Sequence, residues 1–354
     1  MSLSTHARRV AAAAVTLAFA AGCGDHGPTS PASLSNPTRA AAQIERLDTV
    51  FWSPAYQSYS LALNFTPLAA GPVGRMNALP RAGPRLGRPG AAAQLRPELQ
   101  LWSAASSEVV IPPEIRGKTF EWNQAGWGYV QTTRPGAPAN GVRFILYALN
   151  DFGEPSQPLQ EIGHADLIDQ SASATDRVRV IVVLGGIPYV DYVATCMPSA
   201  AGATATVKGS ITDGTHSLDV NGTLALAQNQ LVADIAYDVN AEDLHARLKL
   251  DLAFSPTFTL TLDFRVQLGA ELVTVSGTDR ETEGGESGSL TVRVNEGQFA
   301  IITITGGEAS YQRAVGKLTA DERAVLDALV RSIGDIFTSF TDLLEPAGAC
   351  IGSF

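Results

Sequence analysis

The sequence predicts a mainly β protein: a large, curved antiparallel meander, an open or partly closed barrel. A long C-terminal amphipathic helix packs on its apolar concave face, and short helices precede it at the N-terminus. Three observations predict this. Residues 203–305 alternate apolar and polar side chains in segment after segment, residues 319–344 switch to helical spacing, and the helix is as long as the longest strands.

The strands come first. Leu244, Ala246, Leu248, Leu250, Leu252 and Phe254 fall on one face of a segment whose other face carries His245, Arg247, Lys249 and Asp251. The next segment repeats the pattern, with Phe258, Leu260, Leu262, Phe264, Val266 and Leu268 against Thr259, Thr261, Asp263, Arg265 and Gln267. Each segment therefore has one face for a core and one for water. The connections are short: Asp213-Gly214, Gln228-Asn229-Gln230, residues 240–243 and Asn295-Glu296-Gly297. Turns of this length make neighbours antiparallel. Upstream, residues 118–122 and 128–132 form a hairpin around Asn123-Gln124-Ala125-Gly126. Strands follow at 142–149, 178–184 and 187–196, the last two joined by Gly185-Gly186.

The period then changes. Thr319-Ala320-Asp321-Glu322 fits a capping box, in which hydroxyl and carboxylate each satisfy a free amide at a helix start. Leu326, Leu329, Val330, Ile333, Ile336, Phe337, Phe340, Leu343 and Leu344 recur every three or four residues until Pro346. Some 25 residues at 1.5 Å each give roughly 37 Å of helix. An eleven-residue strand gives about 36 Å. Helix and meander each have an apolar face to cover, and each covers the other.

The first 22 residues read as a signal peptide. Arg8 and Arg9 precede an apolar run at 10–21, too short to span a membrane, and the run ends in Ala20-Ala21-Gly22-Cys23. Small residues before a cysteine resemble the lipobox of bacterial lipoproteins, with Ala20 where the usual motif has Leu. The resemblance covers about two dozen residues. It implies cleavage before Cys23, lipid on Cys23 and a membrane anchor; in a cell with two membranes, Gly24 points to the outer one, facing the periplasm or the surface. The alternative is an ordinary secretory leader with a chance cysteine.

Residues 23–38 read as a lipidated cysteine and flexible tether, and 39–66 as short helices covering an edge or mouth of the sheet. In the latter, Ile44, Leu47, Val50 and Phe51 have helical spacing, and Ser53-Pro54 starts a second helix. Residues 67–97, rich in Pro, Gly and Ala with five arginines, read as a mobile loop. Those arginines either meet anionic headgroups or keep the loop soluble. Residues 98–354 form the β domain, with its helix at 319–345.

The chain has 25 basic against 35 acidic residues; the leader takes Arg8 and Arg9 with it, leaving 23 and a formal charge of −12. Such a surface repels phosphate backbones, which excludes nucleic acid as a partner. Beyond Cys23 only Cys196 and Cys350 remain, either a disulfide or two free thiols.

Chemistry-bearing patterns are sparse. His26, His164, His216 and His245 show no metal-ligand spacing, and Gly285-Glu286-Ser287-Gly288-Ser289 lacks the last glycine of a nucleophile elbow. Asp279, Glu281, Glu283 and Glu286 read as calcium ligands or, better, as a solvated hairpin tip. Trp122, Trp127 and Tyr129 read as a ligand platform or, better, as filling for a sheet edge. With no set of nucleophile, base and orienting group, no catalytic residue, metal or cofactor is expected, and the chain does not read as an enzyme.

Two readings of function follow. In the first, an acyl chain or other hydrophobic molecule lies between sheet and helix, lined by Leu248, Leu250, Leu252, Leu260, Leu262, Phe264, Ile333, Phe337 and Phe340. Leader, meander and helical cover resemble the Lol-type lipoprotein carriers and related mycobacterial lipid-binding lipoproteins, which implies lipid carriage. In the second, the helix fills the face completely and the protein serves the envelope structurally or through partners. An outer-membrane barrel is a third reading; the amphipathic helix and the lack of aromatic girdles weigh against it.

Overall fold

The computed structural model describes residues 32–64, 110–173, 175–200, 202–240, 243–254, 257–282, 285–305 and 308–347. The leader, Cys23, the 67–97 loop and Cys350 lie outside them.

Alternation and short turns produce what they predict, one antiparallel meander. The strands are β1 (Lys118–Asn123), β2 (Gly128–Thr132), β3 (Gly141–Tyr147), β4 (Glu161–Asp169), β5 (Asp176–Leu184), β6 (Ile187–Ser199), β7 (Gly202–Thr212) and β8 (Ser217–Ala227). They continue through β9 (Gln230–Val239), β10 (Leu244–Ala253), β11 (Phe258–Leu268), β12 (Glu271–Thr282), β13 (Gly285–Val294), β14 (Gly297–Thr305) and β15 (Glu308–Arg313). From β3 to β15 each strand pairs with the next; β1 then joins β3 in parallel, and β2 pairs only with β1. The sheet does not close, so β2 and β15 are its edges. At the Gly185-Gly186 turn both glycines take the positive φ that a tight hairpin requires.

Register builds the inner face row by row. Leu248 sits opposite Ile235 on one side and Phe264 on the other; Leu250 sits opposite Ala233 and Leu262. The other face of the sheet carries ion pairs. Arg247 meets the two oxygens of Asp234 at 2.8 and 2.7 Å, and Arg143 grips Asp166 the same way at 2.7 Å twice. These bidentate cross-strand pairs help fix register, although exposed pairs each contribute little to stability.

The helices are α1 (Pro37–Ile44), α2 (Pro54–Asn64) and α3 (Ala320–Leu344). 3-10 turns at Glu45–Leu47 and Thr49–Trp52 link the first two, and another at Glu345–Ala347 ends the third. The capping box forms as the sequence predicts: Glu322 N donates to Thr319 Oγ1 at 3.2 Å, and Thr319 N donates to Glu322 Oε2 at 2.9 Å. Arg313 at the end of β15 pairs with Glu322 at 3.0 Å, tying the edge strand to the helix start. Ser53 caps α2 by accepting from Tyr56 N at 3.3 Å.

The N-terminal helices cover the apolar face of the sheet: Ile44, Leu47 and Val50 form a stripe as deeply buried as the core strands, whereas Thr38, Arg39, Glu45 and Arg46 on the other side stay exposed. Thr38 bonds Asp321 at 3.1 Å and Arg331 meets Glu45 at 3.2 Å, so α1 and the turn after it run parallel to α3. α2 lies on β3, β5 and β6, whereas α3 crosses β6, β7, β9 and β10. The body also takes up the chain before residue 38: Leu34 is buried and Ser35 N donates to Glu271 Oε1 at 2.8 Å.

One position measures how closely helix and sheet approach. Gly222, on β8, faces the Phe340 ring of α3, and a Cβ there would stand 2.3 Å from a ring carbon. Ala cannot fit unless the ring or the helix withdraws. Gly222→Ala should therefore lower the urea unfolding midpoint by the equivalent of about 1–3 kcal/mol, the usual cost of overpacking a core. An unchanged midpoint would mean that Phe340 has free space behind it.

Candidate functional site: the space between sheet and helices

The nine residues expected to line a ligand chamber come from β10, β11 and α3. Leu248, Phe264 and Phe340 are fully buried, Leu250, Leu252, Leu262, Ile333 and Phe337 are buried, and Leu260 is partly exposed. All but Leu260, which packs against it, belong to one continuous apolar core that also includes residues of α1 and α2. A chamber wide enough for an acyl chain leaves free surface on the side chains around it. These side chains have almost none. α1 lies on β11, so the interior face expected to await a ligand is occupied by the protein's own N-terminal helices as well as by α3.

The interior is not wholly apolar, and this part was missed in the sequence. Four tyrosines, Tyr56, Tyr59, Tyr192 and Tyr237, are buried there. The hydroxyls of Tyr59 on α2 and Tyr192 on β6 lie 2.8 Å apart. Tyr237 on β9 meets Ser339 Oγ at 2.8 Å and donates to the Ile336 carbonyl at 3.3 Å, both on α3. Phe51 bridges the group, edge-on to Tyr56 with centroids 4.9 Å apart and 6.1 Å from Tyr237. Ser58 accepts from Tyr147 N at 3.1 Å. Burial holds the Tyr59 and Tyr192 hydroxyls well above their ordinary range, so both stay neutral and act as hydrogen-bonding pins between helix and sheet. The sequence signal was faint: Tyr56 and Tyr59 are three residues apart on a helix, and Tyr192 and Tyr237 fall on apolar strand positions.

Other candidates resolve individually. Trp122 and Tyr129 are buried, their rings edge-on at 5.7 Å, and Tyr129 donates to the Ile145 carbonyl at 2.8 Å; they fill the sheet, and only Trp127 is exposed. His245 is held by Asp238 at 2.7 Å, which raises its pKa, and by Asp243 at 3.3 Å. Burial lowers His164, and His216 caps its own turn on Asp213 at 3.2 Å. Among the described residues no group of three or more His, Cys, Asp or Glu is placed to hold a metal ion.

The acidic turn requires a correction. Asp279 is not in a solvated tip. β12 and β13 remain paired as far as Thr282 and Gly285, which puts Asp279 on the inner face with Val273 and Val275 at 6% exposure. Gly288 lies opposite and leaves room, since a Cβ there would stand 2.6 Å from Asp279 Oδ1, an oxygen with no hydrogen-bond partner.

Elsewhere, burial pushes the Asp335 carboxyl on α3 up to about 6, with the charge of Asp48 adding to the shift. Cys196 faces inward on β6, fully buried, and is disulfide-bonded. The Glu345–Ala347 turn lies against β5 and β6. Cys350, the partner expected from the sequence, is outside the described residues.

The fold and interior together define a class: a single open meander that wraps its own N- and C-terminal helices. Comparison with family models, with curated proteins and with solved structures finds no match for the chain.

The tyrosine pins give a direct test of how the interior is held. Tyr192→Phe strands the Tyr59 hydroxyl in the core and should cost about 1–3 kcal/mol in chemical denaturation. The Tyr59→Phe, Tyr192→Phe double variant should cost clearly less than the two singles together. Strict additivity would show that the two hydroxyls do not depend on each other.

Proposed function

We propose that this protein is an exported lipoprotein of the cell envelope, anchored through Cys23, which has no catalytic role and works through its outer surface rather than by carrying a ligand. The observation that favours the filled reading over the carrier reading is the contact of Phe340 with Gly222, in which helix and sheet approach as closely as a missing side chain allows. The buried state of eight of the nine candidate lining residues supports the same reading. The anchor rests on the basic start, the short apolar run and the Ala-Gly-Cys sequence of the leader.

One labelling experiment separates the readings. Cells are fed labelled palmitate, and the purified protein is extracted with organic solvent. The label should remain covalently with the wild-type chain and be absent from Cys23→Ala. Equal label in both would refute the anchor. Label leaving in the solvent at about one lipid per chain would refute the filled interior and restore the carrier.

A further inference from the structure

Alternate turns of a meander lie at the same end of the sheet, so each exposed side chain on a turn can be assigned to one end. β1 and β3 run in parallel, so the β1–β2 turn and the β3–β4 loop share an end. Antiparallel pairing then places the β5–β6 turn and the segment after β15 there as well. Large exposed hydrophobic residues concentrate at this end. Trp127 (45% exposed) is on the first of these turns, Phe152 (87%) and Leu159 on the loop, Ile187 (61%) beside the third turn and Val315 (57%) after β15. They are five of the nine such residues among the described part of the chain; of the others, Trp52 lies in the turn before α2, Val130 within β2, and Met197 and Val232 in one cross-strand row near the opposite end.

The first four form a rim. Gln157 on the loop donates to Gln124 on the neighbouring turn at 2.8 Å, and Phe152 is presented on a turn whose Asn150 side chain accepts from the amides of Phe152 and Glu154 at 2.9 and 3.0 Å. From β2 to β6 the order is β2-β1-β3-β4-β5-β6, five strand spacings, or about 24 Å. The rim is a row of separate points on turns. It suits a soft apolar medium that admits single side chains, with tryptophan at the polar boundary.

The path of the N-terminus indicates which medium. Ala32 touches the position of Gly297, where a Cβ would stand 2.8 Å from the Ala32 methyl, and Ser35 bonds Glu271. Gly297 and Glu271 begin β14 and β12, at the same end as the rim. Eight residues, nine steps of chain, separate Cys23 from Ala32, a reach of at most roughly 30 Å. A lipid on Cys23 therefore holds this end toward the membrane.

We infer that the rim of Trp127, Phe152, Leu159 and Ile187 seats on the bilayer surface beside the lipid anchor, orienting the body with this end down. The inference takes its orientation from the anchor reading. The lipid it fits is zwitterionic. Asp151 and Glu154 flank Phe152, Arg134 is already paired with Glu161 and Glu121 at 2.7 and 3.0 Å, and the other turns at this end carry Asp213, Asp243, Glu271 and Glu296. An anionic surface would repel these groups.

The test uses the full chain in vesicles of phosphatidylethanolamine and phosphatidylcholine with brominated acyl chains, which quench tryptophan emission on contact. Bromolipid should quench the wild type, and Trp127→Phe should lose at least half of that quenching. Trp52→Phe, which removes an exposed tryptophan outside the rim, should lose less than Trp127→Phe. Ile187→Asn, which leaves every tryptophan in place, should also reduce the quenching. Equal fractional quenching in wild type and Trp127→Phe overturns the proposal and leaves the rim to a protein partner. Palmitate on Cys23 is read separately in the same preparations. Label without rim quenching sinks the rim alone, whereas rim quenching without label supports the rim and sinks the anchor.

Discussion

Fifteen strands that do not close on themselves leave a long apolar face that only helices can cover, and the contact between that face and α3 is the constraint on which the rest depends. A closed barrel of this size would carry its own lumen. Here the sheet stays open, and α3 enters along the concave side, fixed at its start by the capping box and by Arg313. α1 runs beside it, and α2 lies on β3, β5 and β6, sharing β6 with α3. Helix and sheet are then joined by buried hydroxyl pairs, Tyr59 with Tyr192 and Tyr237 with Ser339, which also fix the helices along the strands. Removing α3 would expose the face of the sheet and leave those hydroxyls unsatisfied.

The outer face follows different physics. Arg247 with Asp234, Arg143 with Asp166 and Arg179 with Asp191 are forked pairs in reach of water, so they favour one register without driving folding. The chain as a whole is acidic, with 35 acidic against 25 basic residues. Apolar tips concentrate over the β1–β6 side of the loop end, and carboxylates recur on its turns.

Much of this was legible in the chain because period reports packing. The alternation at Leu244 to Leu268, the switch to helical spacing after Thr319 and the Gly185-Gly186 turn each reflect a single local cause, and each appears as expected. β4 was missed because Gly163, Ala165 and Leu167 face inward beside His164 and Asp166, leaving little apolar contrast. β15 offers only Ala309 and Tyr311 to its partly buried side. The parallel pairing of β1 with β3 depends on a crossing connection, which periodicity does not report. The packing of α1 beside α3, the tyrosine pairs and the burial of Asp279 depend on which elements meet across the core, and no local pattern encodes that.

The central claim is that the protein's own helices fill the concave face. Crystals pressurised with xenon test it most directly, since xenon enters dry apolar voids and is easily located. The account predicts no ordered xenon between α3 and strands β6 to β10. A row of xenon sites along Leu248, Leu250, Phe337 and Phe340 would contradict it and show a chamber between sheet and helix.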